Sequence, residues 1–166
     1  MPVIDVQKDL DNLTMTMIGE FDATPERLWQ VWGDPRQLER WWGPPTWPAA
    51  VSTHELRPGG RVDYLMTGPD GEQGGGYWDV VEVDPPRSLR FRDGFATADG
   101  RPDQSLPVTD VQVTIQDLGD GRSRMSVETI FPDQAAMQQI LDMGAEEGAR
   151  LAMAQIDELV AEVPAA

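Results

Sequence analysis

The sequence predicts an α+β domain in which antiparallel strands are interrupted early by two short helices and closed by one long C-terminal helix. Three observations carry that expectation. Apolar and polar residues alternate in several separate stretches, turn dipeptides stand between those stretches, and the end of the chain changes to helical spacing.

The chain opens with two strand candidates, Val3–Lys8 and Leu13–Phe21, joined by a turn at Asp9-Leu10-Asp11-Asn12. In the second, Leu13, Met15, Met17 and Phe21 alternate with Thr14, Thr16 and Glu20, the period of a half-buried strand. A helix then starts at Thr24-Pro25, a capping hydroxyl followed by a residue whose fixed φ suits the first helical turn. Its inner face is Leu28, Trp29, Val31 and Trp32, and Gly33 ends it. Asp34-Pro35 repeats the same start for a second short helix, which Gly43-Pro44-Pro45 stops because proline cannot continue the ladder.

Six further strands are expected: Ala49–Leu56, Arg61–Thr67, Gly76–Val83, Ser88–Gly94, Val108–Asp117 and Arg122–Phe131. Pro58-Gly59-Gly60, Pro69-Asp70-Gly71, Asp84-Pro85-Pro86 and Asp120-Gly121 punctuate them. Asp93-Gly94 and Asp99-Gly100 also read as turn chemistry, Gly74-Gly75-Gly76 reads as a flexible turn or bulge, and Phe95–Leu106 as an irregular loop. The final helix starts near Asp133. Met137, Ile140, Leu141, Gly144, Gly148, Leu151, Ala152 and Leu159 form one stripe at helical spacing. Each glycine on it costs about 1 kcal/mol against alanine in a helix interior, which close packing or room for a ligand would explain.

Composition narrows the function classes. The length of 166 residues suits one domain spanning 1–166. Thirteen basic residues against twenty-nine acidic ones give a net charge of −16, which repels phosphate backbones and anionic membranes, so neither nucleic acid nor a lipid surface is an expected partner. There is no cysteine and a single histidine, His54, so thiolate and multi-histidine metal sites are excluded, and no metal or cofactor is expected. The start lacks the pattern of a signal peptide and no apolar run is long enough to span a bilayer, so the expected location is cytoplasmic.

The densest feature is aromatic. Five of the six tryptophans, Trp29, Trp32, Trp41, Trp42 and Trp47, fall in one short stretch. Each indole buries a large apolar area while its N–H seeks an acceptor. The series Phe21-x-Ala23-x-Pro25-Glu26-x-x-Trp29, then Asp34-Pro35-x-x-Leu38-x-x-Trp41-Trp42-Gly43-Pro44, then Arg57-Pro58-Gly59-Gly60 resembles the activator of heat shock protein 90 ATPase homologue family. Pro69-Asp70-Gly71, Glu82-Val83-Asp84-Pro85-Pro86 and Phe131-Pro132 continue the pattern. That family belongs to the START-like SRPBCC superfamily, which includes the birch pollen allergen.

The resemblance implies a helix-grip fold: a curved antiparallel sheet of about six or seven strands wrapped around the long helix, with two short helices after the first strand. It also implies a deep apolar cavity between sheet and helix. The chain departs from the family's pattern at Glu147-Gly148-Ala149, where bacterial members often carry Glu-Gly-Trp. Losing that indole leaves more space under the helix or shifts its packing.

For the cavity wall the candidates are Trp32, Trp41, Trp42, Tyr64, Met66, Tyr77, Trp78, Phe91, Met137 and Leu141. Tyr64 and Tyr77 would fix the polar end of a ligand. No catalytic residue is singled out. His54, opposite in phase to Val51, reads as a surface histidine, and Glu55 and Asp63 are the carboxylates that could point inward. The expected function is binding of a small apolar molecule, a lipid or an aromatic metabolite, without assigned catalysis. A cyclase- or hydrolase-type enzyme, a chaperone-interacting protein and a homodimer are the alternatives the resemblance leaves open.

Overall fold

A computed structural model describes residues 4–162. Eight strands form one fully antiparallel sheet: β1 (Asp5–Asp9), β2 (Thr14–Phe21), β3 (Ala49–His54), β4 (Arg61–Thr67), β5 (Gln73–Asp84), β6 (Ser88–Ala96), β7 (Thr109–Gly119) and β8 (Arg122–Ile130). Their spatial order is β1-β2-β8-β7-β6-β5-β4-β3. The sheet is therefore slightly larger than the six or seven strands expected, and Val3 of the first strand candidate lies outside the described residues.

Helices α1 (Pro25–Gly33) and α2 (Pro35–Trp41) follow the second strand rather than the first. They connect β2 to β3 at the opposite edge, and so run across one end of the sheet, α1 meeting β7 and β8 and α2 meeting β3. Both capping expectations hold. The Thr24 hydroxyl accepts from Arg27 N at 3.2 Å, and the Asp34 carboxylate accepts from Arg36 N at 3.0 Å. Leu28, Val31 and Trp32 from α1 and Leu38 and Trp41 from α2 are buried in the core.

The expected long helix is instead three segments: α3 (Gln134–Asp142), α4 (Ala145–Ala154) and α5 (Ile156–Ala161). Gly144 causes the first break. Its φ of +83° is left-handed, a conformation glycine adopts without penalty and one that ends a helix. At the second break the Gln155 side chain turns back to α2, donating to Gly43 O at 2.8 Å and Trp41 O at 3.4 Å. Leu151 lies outside the buried face of α4, 44% exposed, while Ala152 and Met153 beside it are buried. Arg27 fastens α1 to α5 by donating to Leu159 O at 2.7 Å.

The core lies between the inner face of the sheet and the helices. Val111, Val113 and Ile115 of β7, Met125 of β8, and Leu89 and Phe91 of β6 all point into it. Two glycine readings change. Gly74-Gly75-Gly76 is regular strand inside β5, whose irregularity falls later, between Val80 and Glu82. Asp93-Gly94 is likewise mid-strand in β6, paired to β5 and β7 rather than turning.

Candidate functional site

A cavity of about 300 Å³ lies under α3 and α4. Its floor is the inner face of the sheet. β2 contributes Met15 and Met17, β8 contributes Val127 and Thr129, β7 contributes Thr109 and Val111, and β4 contributes Tyr64 and Met66. Trp32, Trp41, Trp42 and Pro44 close one side, and Ile140, Ala145, Gly148, Ala149, Ala152 and Met153 form the roof.

The tryptophan cluster continues from this wall into the core. Trp32 and Trp41 meet edge to face at 4.7 Å between centroids, as do Trp42 and Trp78 at 4.9 Å, while Trp78 stacks on Phe91 at 4.0 Å. Such pairs add about 0.5–1.5 kcal/mol each beyond the area they bury. Two indole N–H groups are satisfied: Trp41 donates to Val31 O at 2.8 Å and Trp32 to the Met125 sulfur at 3.2 Å. The Trp42 N–H has no full hydrogen-bond partner among the described residues, although it lies close enough to the Tyr64 oxygen to act on its ionisation.

Among the described wall residues one is a carboxylate, Asp93. It lies on β6 in the alternation Leu89, Phe91, Asp93, Phe95, whose members all face the interior. The Tyr64 hydroxyl donates to Asp93 Oδ1 at 2.9 Å. Loss of hydration pushes the Asp93 carboxyl up to about 7, and the Tyr64 hydrogen bond opposes that rise without cancelling it. Tyr64 is itself pushed well above the usual phenol range, first by burial and then by the neighbouring Asp93 charge. The Tyr64 ring lies across β5 where Gly76 leaves room: a Cβ at Gly76 would collide with it. No lysine, arginine or histidine is among the wall residues described.

Of the candidate wall residues, Trp32, Trp41, Trp42, Tyr64 and Met66 meet around the cavity. Trp78, Phe91 and Met137 are buried in the core behind it, and Leu141 packs against that core. Tyr77 is on the opposite face of the sheet. It alternates with Trp78, its ring lies over Gly94, and the Arg61 guanidinium stands 4.4 Å from its centroid. Asp63 also faces outward, pairing with Arg61 at 3.2 Å, and Glu55 pairs with Arg57 at the surface.

His54 corrects its expected position. An irregularity between Val51 and Thr53 shifts the register by one residue, so His54 shares the inner face with Val51, and its Nε2 lies 3.0 Å from Trp32 O. It supports α1 and is absent from the cavity wall. Asp93 was the site residue hidden from the sequence reading. The signal for it was the strand alternation on either side, which outweighs the turn preference of the Asp-Gly pair. Among the described residues, no group of three His, Asp or Glu side chains is arranged to hold a metal ion, and no helix is long and apolar enough to cross a membrane.

An antiparallel sheet gripping C-terminal helices around an apolar chamber defines a helix-grip protein of the START-like SRPBCC type. The sequence model for "Activator of Hsp90 ATPase homolog 1-like protein" matches residues 22–161, and the chain belongs to that family. Solved structures agree. The chain is similar to protein Ms6760 from Mycobacterium smegmatis, with 48% identity, a TM-score of 0.88, and coverage of 98% of this chain and 100% of the other. It is similar to a protein from Arthrobacter aurescens, with 45% identity, a TM-score of 0.91, and coverage of 96% and 92%. The AHSA1 protein from Silicibacter pomeroyi, at 21% identity with a TM-score of 0.70 over 89% and 97%, shares the fold. No curated protein matches the chain.

Proposed function

We propose that this protein binds a small, largely apolar molecule in the chamber beneath α3 and α4, with Asp93 and Tyr64 holding its polar end. The observation that carries the reading is the chamber itself. At about 300 Å³ it stands at the lower end of the range of small-molecule sites, and its wall is apolar apart from a few convergent polar groups. Methionines at 15, 17, 66 and 153 give the wall an adaptable surface.

Titration of the protein with 1-naphthalenemethanol, followed by calorimetry and thermal denaturation, tests this. Saturable binding is expected in the parent. Gly148→Leu should abolish it, because a side chain at Gly148 projects into open space on the cavity roof. Undiminished binding by that variant would place the ligand elsewhere.

The same carboxylate supports a second reading, proton-transfer catalysis on an apolar substrate. A group with a pKa of about 7 is poised to take or give a proton near neutral pH. Turnover with an inflection near that pH, lost in Asp93→Asn, would support catalysis. Turnover retained in that variant would exclude Asp93 as its acid or base.

A further inference from the structure

The chamber is charged in one sense only. Asp93 is the carboxylate on its wall, and no basic side chain described there balances it. A buried carboxylate without a cation is costly, and proteins ordinarily pair such a group. When ionised it is purely an acceptor, and Tyr64 supplies one donor, leaving acceptor capacity for another. Six aromatic side chains, Trp32, Trp41, Trp42, Tyr64, Phe95 and Phe131, share the wall with it. Aromatic rings attract a cation placed over their faces, by up to about 2 kcal/mol where water is excluded. The field of the whole chain acts in the same direction, since a net charge of −16 draws cations toward the protein and repels anions.

We infer that the preferred occupant is a small apolar amine in its protonated form, with its ammonium against Asp93 and its hydrocarbon body between the tryptophans and the roof of α4. This rests on the ligand-binding reading above and narrows it. Fatty acids and other apolar carboxylates are disfavoured, because they would bring a second negative charge to the one charged point among the described wall residues. A neutral alcohol can donate one hydrogen bond to Asp93, strengthened by the charge, but gains no ion pair from it.

The groups facing Asp93 define its pH response. Tyr64 on β4 is the titratable neighbour bonded to it, Trp78 on β5 and Thr109 on β7 are its cross-strand partners, and the roof contributes Ile140, Ala145, Gly148 and Ala149, none of them charged. Tyr77, on the outer face of β5, has its own pKa raised first by burial and then by the Asp79 charge, with Arg61 opposing and Asp93 adding the least. Asp93 therefore carries the titration near neutrality. Its carboxyl, at about 7, is mostly protonated at pH 6 and mostly ionised at pH 8, a change in the ionised fraction of roughly tenfold.

Three isosteric probes separate the possibilities: 1-naphthylmethylamine, 1-naphthalenemethanol and 1-naphthoate, each titrated calorimetrically into the full chain at pH 6 and pH 8. The amine is expected to bind at least about tenfold more tightly than the alcohol at pH 8 and to lose about tenfold at pH 6. The alcohol should change little between the two, and naphthoate should bind most weakly. Asp93→Asn should bring the amine down to the affinity of the alcohol and flatten its pH dependence. Alcohol binding that equals or exceeds amine binding at pH 8 overturns the amine assignment and leaves the ligand-binding reading standing. An amine preference that persists in Asp93→Asn also overturns it. Binding of none of the three overturns both.

Discussion

The Tyr64 hydroxyl reaches over β5 to donate to Asp93 Oδ1 at 2.9 Å, and Gly76 on the intervening strand makes the crossing possible. Three strands thus cooperate to hold one proton-sensitive pair in an otherwise apolar chamber.

The raised carboxyl has a cost that depends on pH. Below pH 3.8, native and unfolded chains both hold the Asp93 proton and the group is neutral with respect to stability. Between there and about 7 the unfolded chain releases the proton while the native chain keeps it, so stability falls as pH rises. Above about 7 the penalty is complete. Asp93→Asn should therefore raise stability at pH 8 by up to about 4 kcal/mol, the full linkage penalty of this shift, and change it little at pH 3.5. Denaturant unfolding at both pH values measures this, and an equal effect at each would contradict the assignment.

Tyr64→Phe removes the hydrogen bond that holds the Asp93 carboxyl down. The carboxyl should then titrate above about 7, followed by carbon-detected NMR of the aspartate side chains. A fall in the Asp93 pKa would show that Tyr64 acts on it in some other way.

At Gly76, valine should be poorly tolerated. Its side chain would occupy the space of the Tyr64 ring, and overpacking of this kind costs about 1–3 kcal/mol. Glycine-to-valine changes at Gly74, where a Cβ meets nothing within 4 Å, should cost less. Equal losses of thermal stability at the two positions would show that the crossing is unimportant.

Ala149→Trp places an indole directly after Glu147-Gly148. Ala149 is on the cavity roof, so the new ring should fill the chamber, block 1-naphthalenemethanol and alter the melting temperature only modestly. A variant that still binds the probe with parental affinity would place the added indole outside.

Gln155 ties the C-terminal helices to the end of α2 through the carbonyls of Trp41 and Gly43. Gln155→Ala leaves both without that donor and should cost about 1–2 kcal/mol in urea unfolding. Unchanged stability would mean that water serves those carbonyls equally well.

Much of this architecture is legible in the residues. Thr24-Pro25 and Asp34-Pro35 locate two helix starts because capping and proline geometry are local effects. Val111, Val113 and Ile115 identify an inner face by alternation alone. The site is less legible because its decisive features are not local. Asp93-Gly94 has the chemistry of a turn, yet pairing on both sides holds it in a strand. His54 changes faces through one extra residue near Ser52, which no local pattern announces. Gly144 stands at a helical position in the stripe, but its positive φ converts one helix into two. Of the two tyrosines, Tyr64 reaches the chamber and Tyr77 does not, a difference decided by strand register.

The sheet order also dictates when the molecule can close. β2 finds β8 only after another hundred residues have been added, and Gln155 and Leu159 engage α2 and α1 across separations of 112 and 132 positions. Contacts this distant in sequence make folding slow, because loop entropy is lost before the contacts form. The tryptophan wall precedes most of the sheet in the chain, whereas the roof residues Ile140 to Met153 follow every strand. The chamber therefore closes only when α3 and α4 join a sheet whose strands all precede them.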